Sequence, residues 1–231
     1  MNESSLIFEN VVCGYGDTMV VRGVSGHVPP RRALGIVGRN GVGKSTLMKA
    51  LAGFLPVSQG AVRWRGRDVA PVPAHARLGL GIAYAPQENV VFGELSVAEN
   101  LWLHLPDQDA TRYQAVLSEF PRLTERLRQR AGLLSGGERK LLSFARTLGL
   151  RAALSMLDEP TEGVQPENID RMARLVNGLK ATGRSFVVVE QNLSFVEMVA
   201  DDVLVLDHGQ AVLSGEMTAL GRAAIERHLV V

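Results

Sequence analysis

Leu34-Gly35-Ile36-Val37-Gly38-Arg39-Asn40-Gly41-Val42-Gly43-Lys44-Ser45-Thr46 is the stretch on which the reading of this chain turns. An apolar run that ends in glycine and continues as GxxxxGK[ST] fits the phosphate-binding loop that joins a strand to a helix. The chemistry requires that order. Glycines let the backbone wrap so that successive N–H groups face phosphate oxygens, and the helix N-terminus adds the positive end of its dipole. Lys44 brings a point charge to the β- and γ-phosphates, and the Ser45 hydroxyl is placed to ligate Mg²⁺. The plainer alternative is a glycine-rich turn with an incidental lysine. A predicted strand over Ala33–Val37 and a predicted helix over Lys44–Leu51 count against it.

Outward from this loop, short β-rich runs occupy Leu6–Val12, Val20–Val28, Ala61–Trp64 and Gly81–Ala85. From about Ser96 to Leu150 helical spacing replaces them, punctuated by Pro106 and Pro121. Strand signals return at Ala153–Leu157, Ser185–Val189 and Val203–Leu206, separated by a helix near Glu167–Leu179 and a shorter one after Asn192. Strands alternating with helices on both sides of an insertion predict an α/β fold with a mostly parallel sheet. The expected organisation is one domain over 1–231, with a core of about 1–88 and 151–231 and a helical subdomain of about 89–150.

The strand Ala153–Leu157 runs into Asp158-Glu159, two acids at the C-terminal edge of a sheet, where α/β proteins bind ligands. One carboxylate can hold the Mg²⁺ shell and the next can polarise an attacking water. Alone this pair reads as a solvated turn; beside a phosphate loop it reads as the other half of a site. Ser155 inside that strand is an oddity, because a buried hydroxyl needs a partner.

Leu134-Ser135-Gly136-Gly137-Glu138 precedes a helix over Arg139–Leu150. Ser135 with Glu138 three residues on is a capping box. Two glycines after the capping serine also leave open N–H groups, a second anion-binding surface. Since the first loop already forms a complete cradle, the second surface suits a neighbouring molecule's nucleotide.

With these residues the chain resembles the ATPase subunits of ABC transporters over nearly its whole length. Gly38–Thr46 is similar to their Walker A motif, Leu134–Glu138 to the signature and Leu154–Glu159 to Walker B. Gln87, in Ala85-Pro86-Gln87-Glu88, resembles the family's Q-loop glutamine, which ligates Mg²⁺ beside Ser45 and Asp158. Tyr15, in Gly14-Tyr15-Gly16, falls where the family stacks a ring on adenine. The resemblance implies a RecA-like P-loop NTPase core with an N-terminal antiparallel β subdomain and an inserted α-helical subdomain. It implies ATP and Mg²⁺ as ligands, with Glu159 the general base. It also implies a homodimer or a heterodimer with a second ABC ATPase, in which Ser135, Gly136, Gly137 and Glu138 of one chain meet the other chain's ATP. Further implied partners are transmembrane permease subunits and a solute-binding protein upstream, at the cytoplasmic face of the inner membrane.

Two departures narrow the resemblance. Gln191, in Val189-Glu190-Gln191-Asn192, stands where the family usually has a histidine, and Gln165 stands where it usually has an aspartate. Both are similar to the branch importing branched-chain amino acids, urea or short amides, as are Phe120-Pro121-Arg122-Leu123 and Arg130-Ala131-Gly132. An amide at 191 can donate to a γ-phosphate without exchanging a proton near neutral pH.

The remaining features exclude more than they assign. A net charge of +1 gives no global electrostatic case for nucleic acid, and none is expected as a partner. The basic stretch Arg122, Arg126, Arg128 and Arg130 is broken by Glu125 and reads as a solvated face. One cysteine, Cys13, forbids an internal disulfide and suits a reducing compartment. No basic, then apolar, leader opens the chain, and no run approaches the ~20 apolar residues of a membrane span. The five histidines lack metal-ligand spacing, and Trp64 and Trp102 read as packing residues, with a permease groove the alternative for Trp102. Val90-Val91-Phe92 is either a docking surface or a loop tucked onto the helices. A single phosphate loop and a short insertion without heptads set aside ribosome- and DNA-acting relatives. The presence of Lys44, Asp158 and Glu159 together opposes a degenerate nucleotide sensor.

Overall fold

The computed structural model describes residues 5–88, 90–105 and 110–229. Strand β1 (Leu6–Tyr15) buries Leu6 and Phe8 and exposes Ile7 and Glu9. Its register then shifts around Asn10, a non-glycine residue at φ 48°. The extra residue at this bulge turns Val11 and Cys13 to the same buried side, so pairing continues to Tyr15, past the Val12 end expected from composition. β1 lies between β2 (Thr18–Val28) and β4 (Gln59–Trp64), and the two-residue β5 (Arg67–Asp68) closes an antiparallel sheet of order β2-β1-β4-β5.

The second sheet has the order β10-β9-β3-β8-β7-β6. β3 (Ala33–Val37) is buried at all five positions because β8 (Ser185–Glu190) and β9 (Asp202–Asp207) flank it, both parallel. β7 (Leu154–Asp158) and β6 (Ile82–Ala85) continue the parallel set, and β10 (Gln210–Glu216) returns antiparallel along β9. Continuous apolar runs such as Phe186-Val187-Val188-Val189 are what burial on both faces demands. Alternate residues serve opposite faces. Leu34, Ile36, Met156, Val187 and Val189 pack with the antiparallel sheet and α1 (Lys44–Leu51). Leu157, Phe186 and Val188 pack with Phe144, Leu148, Met172, Val176 and Phe195. Gly35 has no room for a side chain on that second side, where a Cβ would lie 2.6 Å from Val196.

Between β6 and β7 the chain is helical, with a short α2 (Ala74–Arg77) before β6 and then α3 (Val97–Trp102), α4 (Gln114–Glu119), α5 (Pro121–Glu125) and α6 (Gly136–Gly149). Ser96 and Glu99 cap α3 reciprocally, Pro121 sits at the start of α5, and the Phe120 and Phe144 rings meet edge to face at 6.3 Å. α7 (Pro166–Ala181) covers the sheet and α8 (Leu193–Val199) follows β8. The expected helix Glu167–Leu179 is thus one turn short of its full length, which Pro166 begins. Two contacts fasten the core. The buried Arg77 guanidinium donates to the carbonyls of Val72 at 2.9 Å, Val69 at 2.6 Å and Leu51, so it satisfies an orphan carbonyl in the last turn of α1. Burial pushes that guanidinium down to about 10. The turn at Gly209 accepts from Arg22 N–H at 2.8 Å and donates to the Val42 carbonyl at 3.0 Å, which stitches the antiparallel sheet to the phosphate loop.

Trp64 is 3% exposed and donates its indole N–H to the Leu80 carbonyl at 2.8 Å, in keeping with a packing role. Ser155 is a correction to the requirement stated for it: its hydroxyl is buried with no hydrogen-bond partner among the described residues. It sits between Ala83 and Phe186 in the sheet, whose backbone groups are taken up by the ladder.

Candidate functional site

Four adjacent parallel strands, β3, β8, β7 and β6, end at one sheet edge, and each delivers a polar segment there. β3 feeds the phosphate loop, β8 ends in Glu190-Gln191, β7 in Asp158-Glu159, and Gln87 follows β6 by two residues. They line a cleft of about 370 Å³ in which Asn40, Gly43, Lys44, Ser45, Gln87, Glu159 and Gln191 meet. Gly43 precedes α1 at φ 106°, a conformation that glycine adopts without a steric penalty. No side chain caps α1, so its first N–H groups are open to an anion. Gly38 cannot carry a Cβ, which would lie 2.4 Å from the Leu206 carbonyl. Val42 points into the core, and Arg39, Asn40 and Gly41 are exposed.

The Lys44 ammonium, 4% exposed, donates to the carbonyls of Gly38 at 2.8 Å and Arg39 at 2.9 Å and lies 4.0 Å from Glu159 Oε1. Burial lowers its pKa, and the charges of Glu159, Asp158 and Glu190 oppose that shift. Ser45 Oγ donates to Asp158 Oδ1 at 3.0 Å and Tyr84 Oη donates to Oδ2 at 3.1 Å. Burial raises the Asp158 pKa against these two hydrogen bonds. A hydroxyl and a carboxylate held together beside an uncapped helix N-terminus form an all-oxygen donor set that fits Mg²⁺.

Glu159 is 6% exposed and has φ 46°, a costly conformation for a side-chain-bearing residue. Its N–H donates to the Val189 carbonyl at 2.9 Å. Gln87 Nε2 donates to Oε2 at 2.8 Å and Gln191 Nε2 donates to Oε1 at 3.0 Å. Two neutral amides therefore hold a carboxylate in acceptor geometry without neutralising it.

Sequence reasoning missed three residues here. Tyr84 was visible only as the one large residue in Ile82-Ala83-Tyr84-Ala85. Glu190 is buried and accepts from Thr161 N–H at 2.9 Å, Thr161 Oγ1 at 2.7 Å, Gln191 N–H at 3.1 Å and Asn192 N–H at 3.2 Å, which fixes the entry to Gln191. Lys140 gave no signal, being one charge on a helix of mixed composition.

The Ser135–Glu138 segment, expected to form a second anion-binding surface, lies elsewhere on the chain. Ser135 caps α6 and accepts from Glu138 N–H at 3.3 Å, while Glu138 Oε2 accepts from Ser135 N–H at 3.0 Å. Arg126 pairs with Glu138 at 2.9 Å. Burial alone would raise the Glu138 pKa; the Ser135 hydrogen bonds together with Arg126 and Arg122 outweigh it and hold the carboxyl below its ordinary value. Ser135, Gly136 and Gly137 line a cleft of about 520 Å³ with Gly163 and Gln165, and it shares no lining residue with the phosphate-loop cleft. Tyr15 is 48% exposed at the tip of β1 and also lies outside the phosphate-loop cleft. Phe92 is 55% exposed, whereas Val91 packs on the helices. No group of three or more His, Cys, Asp or Glu among the described residues is arranged to hold a metal unaided.

A family model described as ABC transporter matches residues 21–162, which span the phosphate loop, the signature and both Walker B acids. The chain belongs to the ABC transporter family. It is the ATP-binding, ATP-hydrolysing subunit of a transporter. It is 35% identical over 219 residues to the high-affinity branched-chain amino acid transport ATP-binding protein BraG of Pseudomonas aeruginosa, covering 93% of this chain and 94% of that protein. It is 31% identical over 208 residues to the lipopolysaccharide export system ATP-binding protein LptB of Acidithiobacillus ferridurans, covering 87% and 86%. Among solved structures it is similar to a nucleotide-free ATP-binding cassette from an ABC transporter, with a TM-score of 0.83 and 27% identity over 97% of this chain and 94% of that one. The RecA-like ABC cassette fold expected from sequence is the fold found. Membrane permease subunits follow as partners, and no helix among the described residues is long and apolar enough to cross a membrane.

Proposed function

We propose that this ABC ATPase powers import of branched-chain amino acids, urea or related small polar solutes. It acts as a homo- or heterodimer on the cytoplasmic face of the inner membrane, with a solute-binding protein upstream. The observation that carries the catalytic part of this reading is the Glu159 carboxylate, held by Gln87 at 2.8 Å and Gln191 at 3.0 Å, 4.0 Å from the Lys44 ammonium. In this reading Lys44 and the N–H groups of Gly38–Thr46 hold the phosphates, and Tyr15 packs on the adenine. Ser45, Asp158 and Gln87 hold Mg²⁺, which when bound offsets the charge that builds up on the phosphates. Glu159 accepts a proton from the attacking water, and Gln191 orients that carboxylate with one amide hydrogen while its second is free for the γ-phosphate. Ser135, Gly136, Gly137 and Glu138 serve the second chain's ATP, because their cleft is separate from the phosphate loop of their own chain.

Replacing Glu159 by Gln removes the base and keeps the shape. ATP binding is expected to persist while turnover falls by about 10²–10⁴-fold, the range for loss of a general base. Turnover at the wild-type rate in Glu159→Gln removes the assignment. The importer reading rests on the Val-Glu-Gln-Asn segment and on the likeness to BraG. It is tested by uptake of labelled leucine and labelled urea in cells with and without Lys44→Ala in this chain. Loss of either uptake supports it; unchanged uptake of both, together with an envelope defect of the kind an export ATPase would cause, replaces it with an export function.

A further inference from the structure

Lys140 lies on α6, five residues after Ser135 and so about 7.5 Å along the helix axis. Its side chain is 11% exposed, a rare condition for lysine unless every donor is matched. Three groups meet it: the ammonium donates to the Gln87 carbonyl at 2.7 Å and the Glu159 carbonyl at 3.1 Å and forms an ion pair with Glu162 Oε2 at 3.3 Å. Two of these acceptors are the backbones of the two residues whose side chains already bind each other, Gln87 Nε2 to Glu159 Oε2 at 2.8 Å. The third follows Glu159 in the turn after β7. A single cation on a helix of the inserted part thus closes a ring through the Q-loop backbone, the Q-loop side chain, the Glu159 carboxylate and the Glu159 backbone.

The backbone so held is the strained one. Glu159 has φ 46° and its N–H is fixed by Val189, so the peptide carbonyl on its other side needs a fixed partner for the carboxylate to keep its direction. That carbonyl has two donors, the Glu162 N–H at 3.5 Å and, closer, the Lys140 ammonium at 3.1 Å, and of the two only Lys140 ties it to α6. A bland role, a lysine stem packed along a helix with its head in water, does not fit an ammonium that donates to two backbone carbonyls and is paired with a carboxylate.

We propose that Lys140 is a positioning residue: it aims Glu159 and Gln87 and makes their geometry depend on the position of α6. Because α6 begins at the signature serine, the same helix faces one nucleotide with its N-terminus and sets the base for another with Lys140. This rests on Glu159 acting as the base, as proposed above. Movement of α6 draws the ammonium from both carbonyls and frees the carboxylate to turn.

The test uses the full chain as wild type, Lys140→Met, Lys140→Arg, Gln87→Ala, the Lys140→Met/Gln87→Ala double variant and Glu159→Gln. Steady-state hydrolysis and equilibrium binding of trinitrophenyl-ATP are measured for each. Methionine keeps the stem and removes the donors, so kcat is expected to fall about 10- to 100-fold, as misaimed catalytic groups do, with the nucleotide Kd within about threefold. Lys140→Arg, which can reach the same carbonyls, should recover most of the rate. The double variant should lose less than the product of the two single losses, because both residues act on one carboxylate. Should Lys140→Met fail to fold, Lys140→Gln keeps an uncharged amide with two N–H donors on a shorter stem and is expected to slow turnover by at least about threefold. Met or Gln variants at the wild-type rate, Kd weakening in step with kcat, an Arg variant no better than Met, or multiplicative losses would each overturn the proposal. Glu159→Gln separates the two readings: wild-type turnover there removes the base assignment, whereas a lost rate there with an unaffected Lys140→Met removes only the role of Lys140.

Discussion

Gln191→Ala isolates one hydrogen bond in the cleft. The amide donates to Glu159 Oε1 at 3.0 Å, and Glu159 is buried while Gln191 is exposed. A hydrogen bond to a charged group contributes about 1.5–3 kcal/mol. Water can enter where an exposed side chain has been cut back, and Gln87 still holds the other oxygen at 2.8 Å. The loss expressed in the barrier is therefore at the lower end, about 1–2 kcal/mol, or about 5- to 30-fold in kcat. ADP carries no γ-phosphate for the second amide hydrogen, so ADP affinity should stay unchanged. Gln191→Glu should be slower than alanine, because it sets a second carboxylate against Glu159 and the phosphates. Gln191→His should recover part of the rate and add a pH dependence between about pH 6 and 7, where an imidazole titrates. The assay is steady-state ATP hydrolysis from pH 5.5 to 8 with parallel ATP and ADP binding. An alanine variant within twofold of wild type (about 0.4 kcal/mol), or one that weakens ATP and ADP equally, refutes the reasoning.

Arg77→Met should leave the Leu51 and Val72 carbonyls without their donor, while the Val69 carbonyl keeps the Val72 N–H at 3.0 Å, and cost about 3 kcal/mol, lowering the melting temperature by about 6–12 °C for a chain of this size. Gly137→Ala brings a Cβ to 2.3 Å from the Gly163 carbonyl, so it should push the start of α6 off its turn and depress hydrolysis while leaving nucleotide binding at the phosphate loop intact; equal hydrolysis in both forms contradicts that. The depressed Glu138 carboxyl adds stability that is present above its ordinary value of 4.5 and lost as the pH falls through the lower folded value. Melting temperatures of wild type and Glu138→Gln, which keeps the capping geometry but not the charge, should differ at pH 7 and converge on acidification below about 4.5.

What the sequence made legible was local. The strand–loop–helix around Lys44 and the capping box at Ser135 each draw their signal from residues within a few positions of one another. The register shift at Asn10 was not legible, because a bulge is settled by which neighbouring residues find room in the core. Strand order was beyond a one-dimensional reading. That Gln87 and Glu159 touch across 72 residues follows from β6 lying beside β7, and nothing in Ala85-Pro86-Gln87-Glu88 encodes that neighbour. Gln87 and Gln191 were noticed through resemblance, and their convergence on one carboxylate came from the sheet. Lys140 and Glu190 stayed unseen because their importance lies wholly in distant acceptors and donors.

Gly209 belongs to no motif and sits in a tight hairpin turn between β9 and β10, a place where a survey of variants would anticipate tolerance. Any side chain there would begin 1.9 Å from the Val20 carbonyl, and the same residue holds the Val42 carbonyl of the phosphate loop. Alanine at this position would drive a wedge between the strand that approaches the loop from one side and the loop itself. Its phenotype would imitate a damaged nucleotide cradle in a molecule whose every signature residue is intact.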